Sequence, residues 1–278
     1  LGWSRGLLKE ALHRAGVQLK RDLGQNFLLD PNFLEFMVRR AEIRPTDYVI
    51  EIGAGVGTLT ELLAKRAKHV WAFELDPELF KICKEYLGAR TNLTLLNQDA
   101  LCGLDQIRSR ADIKLVSNPP YTHIRDLMIK ILTHPLPIQQ YWITVQREVY
   151  QRFVAQPSSL YYCPLSVVVQ TLCKVKLIRT VPPDLFYPRP RCGSVYVWLA
   201  VQQGIISKQE LAKLVPVLYR LFSYRRKMLA NVLRHLGIKD ILSHGIQHRI
   251  EEFHPHALLE IARQVSRKYR CKDSFSVR

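Results

Sequence analysis

The sequence predicts a doubly wound, mostly parallel α/β sheet followed by a small all-α domain, and three observations carry that expectation. From Asp47 to about Val201, short β-rich runs alternate with helical periods, the pattern of parallel strands joined by crossover helices. A glycine-rich turn, Gly53-Ala54-Gly55-Val56-Gly57, follows the first of these runs directly, as in Rossmann-like sheets. Beyond Gln202-Gln203-Gly204 no strand signal remains, and three apolar-periodic stretches follow at 207–222, 225–236 and 255–268. The expected domains are therefore residues 1–203 and 204–278.

Taken in order, Leu7, Leu8, Ala11, Leu12 and Ala15 are interleaved with Arg5, Lys9 and Arg14, the pattern of an ordinary amphipathic leading helix, with a basic amphipathic targeting remnant as the alternative reading. Strands are expected at Tyr48-Val49-Ile50-Glu51-Ile52, Val70-Trp71-Ala72-Phe73, Leu93-Thr94-Leu95-Leu96, Ile113-Lys114-Leu115-Val116 and Tyr141-Trp142-Ile143-Thr144. Helical periods at 58–67, 77–88 and 124–133 separate them. Two further strands, Val175-Lys176-Leu177-Ile178 and Val195-Tyr196-Val197-Trp198-Leu199, follow without a comparable helix between them. An antiparallel pair at the sheet edge accommodates that spacing.

The 278 residues carry 41 Lys and Arg against 24 Asp and Glu, a formal charge of +17, which points to a polyanionic partner. Residues 201–278 hold 15 Lys and Arg against 6 Asp and Glu, so +9 of that excess lies in the helical region. The clusters Arg225-Arg226-Lys227 and Arg267-Lys268-Tyr269-Arg270 suit a grip on an RNA backbone. The six cysteines form no Cys-x-x-Cys pair, and no His pair has zinc spacing, so buried free thiols and no metal are expected. No apolar run is long enough to span a bilayer and no secretory leader is evident, which predicts a soluble, cytoplasmic protein.

Three successive strand ends carry a cofactor signature. The Gly-x-Gly-x-Gly spacing at Gly53, Gly55 and Gly57 lets a ligand approach the backbone, and it favours a nucleoside with an amino-acid tail over a dinucleotide pyrophosphate. Glu74 closes the second strand, where a carboxylate can accept both ribose hydroxyl protons, while its neighbour Asp76 precedes Pro77 as a helix cap. Asp99 follows the third strand and can accept from the amino group of a cofactor adenine, with simple helix capping as its alternative role. Together these predict S-adenosylmethionine.

The fourth strand ends in Ser117-Asn118-Pro119-Pro120-Tyr121. An aryl amine is a poor nucleophile because its lone pair is delocalised into the ring. An Asn oxygen and a backbone carbonyl held rigid by proline can accept both amine protons and aim the lone pair at a methyl group. Neutral Asn118 suffices without a tuned general base, and Tyr121 offers a ring for a flipped base to stack on.

Along nearly the whole chain these residues resemble the rRNA adenine N6-dimethyltransferases of the KsgA/RsmA type. The matching stretches include Lys20 to Leu28, with its diagnostic Gly24-Gln25-Asn26-Phe27-Leu28, together with Glu51 to Thr60, Phe73 to Asp76, Gln98 to Ala100 and Asn118 to Tyr121. Gln146 to Val149, Leu165-Ser166 with Gln170, Val181 to Ser194, and Arg225 to Lys227 with Asn231 also match. The resemblance implies a class I S-adenosylmethionine methyltransferase fold. It implies two methyls on each of two adjacent adenosines in a hairpin loop near the 3′ end of small-subunit rRNA, added by a monomer within a pre-assembled small subunit.

Carried over by motif, Asn26 and Leu28 would contact the methionine end of the cofactor, Gly53 and Gly55 the glycine turn, Glu74 the ribose and Asp99 the adenine. Asn118, Pro119 and Tyr121 would hold the target base, with Phe186 closing over it; a hydrophobic plug under the proline-rich loop is the alternative role for Phe186. Lys20, Arg21, Arg225, Arg226 and Lys227 would contact RNA. Three positions depart from the family: Pro119 takes the place of a Leu, Cys163-Pro164 that of Gly-Arg, and Cys192-Gly193 that of Val-Asp. A large-subunit rRNA methylase and a nucleic-acid-binding assembly factor are the alternative readings. The Arg249-Ile250-Glu251-Glu252-Phe253 stretch resembles the small-subunit group, and intact Asn118, Tyr121 and Glu74 favour chemistry.

Overall fold

The structure, a computed structural model, describes residues 3–17, 19, 24–202, 204, 206–238 and 247–269. Lys20, Arg21, Gln203, Arg270 and Cys271 lie outside them. The elements in chain order are α1 (Arg5–Arg14), β1 (Phe27–Leu28), α2 (Pro31–Arg40), β2 (Tyr48–Ile52), α3 (Thr58–Ala64), β3 (His69–Glu74), α4 (Pro77–Leu87), β4 (Leu93–Asn97) and α5 (Ala100–Gly103). There follow β5 (Ile113–Ser117), α6 (Ile124–Thr133), β6 (Ile138–Gln146), α7 (Arg147–Phe153), α8 (Pro164–Leu172), β7 (Cys173–Val181), β8 (Phe186–Tyr187), β9 (Ser194–Val201), α9 (Lys208–Phe222), α10 (Leu229–His235) and α11 (Pro255–Tyr269).

Seven strands form one sheet in the order β4-β3-β2-β5-β6-β9-β7. The pairs β3/β4, β2/β3, β2/β5 and β5/β6 are parallel, and β9 runs antiparallel to β6. The strand order reverses at β2, so a crevice opens beyond the carboxyl ends of β2 and β5, where ligands enter sheets of this kind. All seven anticipated strands are present. The last two sit side by side at one edge, as their spacing suggested. A separate two-stranded piece was not anticipated: β1 pairs antiparallel with β8, Leu28 opposite Phe186 and Phe27 opposite Tyr187.

Local chemistry explains the helices that position this crevice. Asp30 caps α2 by accepting from the Phe33 N–H at 2.7 Å, with Pro31 in the first turn. That helix buries Phe33, Leu34, Met37 and Val38 against the sheet core. Asp76 caps α4, accepting from the Glu78 N–H at 3.0 Å. In α1, capped by Ser4, Leu8 and Leu12 pack into a second cluster with Phe27, Val56 and Leu79. Just ahead of α1, the Trp3 indole donates to the Val56 carbonyl at 2.9 Å, so the leading helix reaches the glycine turn itself.

The chain folds as two compact units. The first takes in the described residues up to Leu127, with Leu136–Tyr150 and Lys176–Val201. The second joins Met128–Pro135 and Gln151–Val175 to the described residues from Gln202 onward, so the helical unit includes chain that the sequence grouped with the sheet. Its centre is α8, which packs against both α9 and α11. Seven of its nine residues are buried, as expected of a helix apolar all round. Pro164 starts α8, and Ser166 Oγ accepts from the Cys163 N–H at 3.1 Å. The departure from the family at Cys163-Pro164 therefore makes a helix start.

Within this unit Tyr162 donates to the Phe253 carbonyl at 2.8 Å, and the Gln170 amide spans the carbonyls of Phe153 and Ala155. Of the cysteines, Cys83 and Cys173 are buried free thiols, whereas Cys102 and Cys192 are exposed, contrary to expectation. No helix of the described residues is long and apolar enough to cross a membrane. Leu218, fully buried in α9, tests the helical core. Leu218→Ala is expected to cost about 2–5 kcal/mol, seen as a lower urea midpoint for the transition of this unit.

Candidate active site

β2 leads straight into Gly53, whose φ of 77° lies in the left-handed region. A Cβ there would stand 3.0 Å from Pro120 Cδ. The glycine lets the turn after β2 lie directly against the turn after β5. Gly24 makes a second close approach: a Cβ on it would meet Thr122 Oγ1 and the backbone nitrogens of Thr122 and Tyr121 at 2.7–2.9 Å. The segment before β1 is thus pressed onto the Asn118-to-Tyr121 turn.

Six of the seven residues expected to hold a cofactor, Asn26, Leu28, Gly53, Gly55, Glu74 and Asn118, line one narrow cleft. The seventh does not. Asp99 is exposed, lies outside that lining and caps α5, its Oδ1 accepting from the Leu101 N–H at 2.9 Å. Glu74, 7% exposed, accepts the Gly55 N–H on Oε2 at 2.7 Å and the Asp76 N–H on Oε1 at 2.9 Å. Two backbone donors therefore fix the carboxylate, and each oxygen keeps acceptor capacity beyond them. Burial raises its pKa against the lowering effect of those donors.

Glu51, a cleft-lining residue for which the sequence suggested no separate role, lies at 1% exposure inside β2. Its Oε2 has no hydrogen-bond partner. Burial raises its pKa to about 8, the Thr60 side chain opposing the rise and the neighbouring Glu74 charge adding to it. A lone acidic residue among Tyr48-Val49-Ile50-Ile52 was the available signal, since a strand buried on both faces reads as continuously apolar.

The turn after β5 is held by three buried hydroxyls. Ser117 Oγ donates to the Ile52 carbonyl at 2.6 Å, tying the ends of β5 and β2 together. Tyr121 Oη and Ser194 Oγ share a 2.6 Å hydrogen bond, and Thr144 donates its hydroxyl to Asn118 Oδ1. At its other end the Asn118 amide donates from Nδ2 to the Asn26 carbonyl at 3.0 Å, while the Asn26 side chain donates back to the Gly24 carbonyl. Burial raises the Tyr121 phenol to about 12, so it stays neutral.

Tyr121 also lines a wider groove of about 640 Å³ with Gln146, Arg189, Arg191 and Cys192. Groove and cleft share Gly24, Gln25 and Asn26 as their common wall. Phe186 takes the arrangement of a hydrophobic plug under the proline-rich loop. It is 1% exposed in the sheet core and lines neither space, with its ring edge-on to Tyr121 at 6.4 Å. Pairing of β8 with β1 holds it there as a backing for Tyr121. Of the two rings, Tyr121 is the one that lines the groove.

The expected RNA-contact residues divide. Arg225 is engaged by the protein, donating to Glu251 Oε2 at 2.7 Å and to the carbonyls of Ser159 and Leu160. Arg226 and Lys227 are exposed beside a hollow of about 710 Å³ within the helical unit. Lys20 and Arg21 lie outside the described residues. Among the described residues no three His, Cys, Asp or Glu side chains are grouped to hold a metal ion.

Comparison with known proteins places this geometry. The family model described as ribosomal RNA adenine dimethylase matches residues 16–266. A Clostridium botulinum protein named ribosomal RNA small subunit methyltransferase A is 38% identical over 233 residues, 83% of this chain and 85% of its own length. Among solved structures, a dimethyladenosine transferase from Plasmodium falciparum superposes with a TM-score of 0.69 at 22% identity, covering 87% of this chain and 98% of its own. The 23S rRNA methyltransferase ErmE superposes with a TM-score of 0.59 at 23% identity, covering 86% and 98%. These two likenesses establish the fold.

Glu51 gives a pH signature. Its folded pKa lies above that of the unfolded chain, so the native state keeps a proton that the unfolded state releases. Its contribution to stability therefore falls as pH rises from about 4.5 to about 8 and is flat beyond. Glu51→Gln is neutral throughout. The melting temperature of this variant, relative to wild type, should be higher at pH 8.5 than at pH 4.5 in paired thermal melts.

Proposed function

The chain belongs to the ribosomal RNA adenine dimethylase family, and on that premise we propose that it transfers methyl groups from S-adenosylmethionine to the 6-amino groups of two adjacent adenosines in a 3′-terminal hairpin loop of small-subunit rRNA. Each adenosine receives two methyls. The substrate is the rRNA within a pre-assembled small subunit, and the enzyme works as a cytoplasmic monomer. The observation that carries this reading is Asn118 on the wall of a glycine-walled cleft, three residues from a tyrosine that faces the adjoining groove.

The cleft suits a cationic nucleoside with an amino-acid tail. Glu51 Oε2 is buried with no partner, and Glu74 is fixed with lone pairs to spare for ribose hydroxyls. Glu74 and the turn at Gly53 and Gly55 would hold S-adenosylmethionine, which would supply an electrophilic sulfonium methyl to an adenine nitrogen that gives up a proton to water. The chain's own residues make that nitrogen competent. Asn118 Oδ1 and the Pro119 carbonyl, held between two proline rings, accept the two amine protons and turn the lone pair out of the ring. Tyr121 presents an aromatic face to the base, compensating for lost stacking. Gly24-Gln25-Asn26, which line both cleft and groove, would separate cofactor from base.

Small-subunit rather than large-subunit rRNA is favoured by the 38% identity to a protein of small-subunit name. Supplying purified subunits separately, with mass spectrometry of the nucleosides, should give N6,N6-dimethyladenosine in small-subunit rRNA; label confined to large-subunit rRNA would reverse the assignment. Asn118→Ala should abolish turnover with RNA affinity nearly unchanged. Replacing Arg226 and Lys227 by Ala should flatten the dependence of RNA affinity on salt by about one unit of log–log slope for each phosphate no longer neutralised. Arg225→Ala should instead lower thermal stability, because it strips Glu251 and two carbonyls of their donor.

A further inference from the structure

An amide side chain has almost the same shape after a half-turn about its last bond, yet one end accepts hydrogen bonds and the other donates them. For Asn118 to serve an exocyclic amine, as proposed above, its oxygen must face the substrate and be held still. Its surroundings distinguish the two ends. The Asn26 carbonyl, an acceptor only, lies 3.0 Å from Nδ2. At Oδ1 stands the hydroxyl of Thr144. With Nδ2 committed to Asn26, that hydroxyl can only donate.

Thr144 is built for this position. It lies near the carboxyl end of β6, one residue beyond Ile143, which faces Ser117 across the parallel β5/β6 pair. On its other side it stands opposite Tyr196 of β9. It is fully buried, in a stretch whose neighbours Tyr141, Trp142, Ile143 and Val145 are buried and mainly apolar. A hydroxyl in such a wall costs free energy unless it finds a partner, and Asn118 is the partner found. An amide oxygen has two acceptor directions. Thr144 takes one, leaving a single direction for an amine proton, so the second proton must go to the backbone carbonyl.

We propose that Thr144 is a positioning residue for methyl transfer, locking the Asn118 amide with one lone pair of its oxygen free for the target amine. This rests on the catalytic reading of Asn118. Thr144 lines neither the cleft nor the groove, so it acts through Asn118, on turnover rather than on binding.

The test compares Thr144→Val, Thr144→Ala and Thr144→Ser with wild type and with Asn118→Ala, using small subunits lacking the modification. The Val variant exchanges the hydroxyl for a methyl of similar size, and the Ala variant replaces it as the readout if that methyl prevents folding. Loss of the lock should lower kcat roughly ten-fold, while KM for the subunit and the calorimetric Kd for S-adenosylmethionine stay within about two-fold. Thr144→Ser, which restores the donor, should recover most of kcat. Wild-type kcat in the hydroxyl-free variants overturns the proposal, as does an equal loss in the Ser variant or a loss confined to binding. Should Asn118→Ala itself turn over, the reading of Asn118 fails. An inactive Asn118→Ala beside a fully active Thr144→Ala sinks the Thr144 proposal alone.

Discussion

The hydrogen bond from Asn118 Nδ2 to the Asn26 carbonyl is where the separate parts of the site become one object. Residue 118 ends a central strand, and residue 26 belongs to a segment ninety-two positions earlier that contributes only two residues to a strand. That segment has little regular structure of its own to hold it. It is held by the β1/β8 pair, by the close approach of Gly24 to the turn after β5, and by Gln25 donating to the helix-capping Asp76. Each constraint pulls toward the same crevice, so the wall between cleft and groove is defined by backbone approach more than by side-chain choice.

The electrostatics follow from the same closeness. Glu51 and Glu74 approach each other near the glycine turn, with the buried Cys83 thiol beside them. Burial and like charge disfavour ionisation of both carboxyls. Glu74 is compensated by two backbone donors, whereas Glu51 Oε2 is not. A buried polar atom left without a partner is a liability for stability, and its position against a ligand cleft gives it a use that folding alone does not.

In the helical unit the dominant constraint is α8. A helix buried along nearly its whole length needs neighbours on several sides, and α9 and α11 supply them. The loop before α8 is then bound by Arg225 and by the Tyr162 hydroxyl. This is why a basic cluster that reads uniformly as RNA-facing contains one structural arginine followed by two exposed cations.

The sequence by itself determined the sheet, because period-2 and buried-strand runs, glycine spacing and Asp-Pro helix starts are local signals whose physics acts within a few residues. It placed every strand of the main sheet, helical periods at 58–67, 77–88 and 124–133 where helices run over 58–64, 77–87 and 124–133, and six residues that converge on one cleft. The start of α2 at Asp30-Pro31 was written in the same local code but lay ahead of the first obvious strand. Only the tertiary structure could decide the rest. That Phe186 is buried behind Tyr121, and that Arg225 pairs with Glu251, depends on which distant groups compete for one side chain. Thr144 shows this most clearly: its hydroxyl is an ordinary strand residue's until the turn after β5 brings an amide oxygen to it. Partner choice over such sequence separations is set by packing, and packing is not encoded in any single window of the chain.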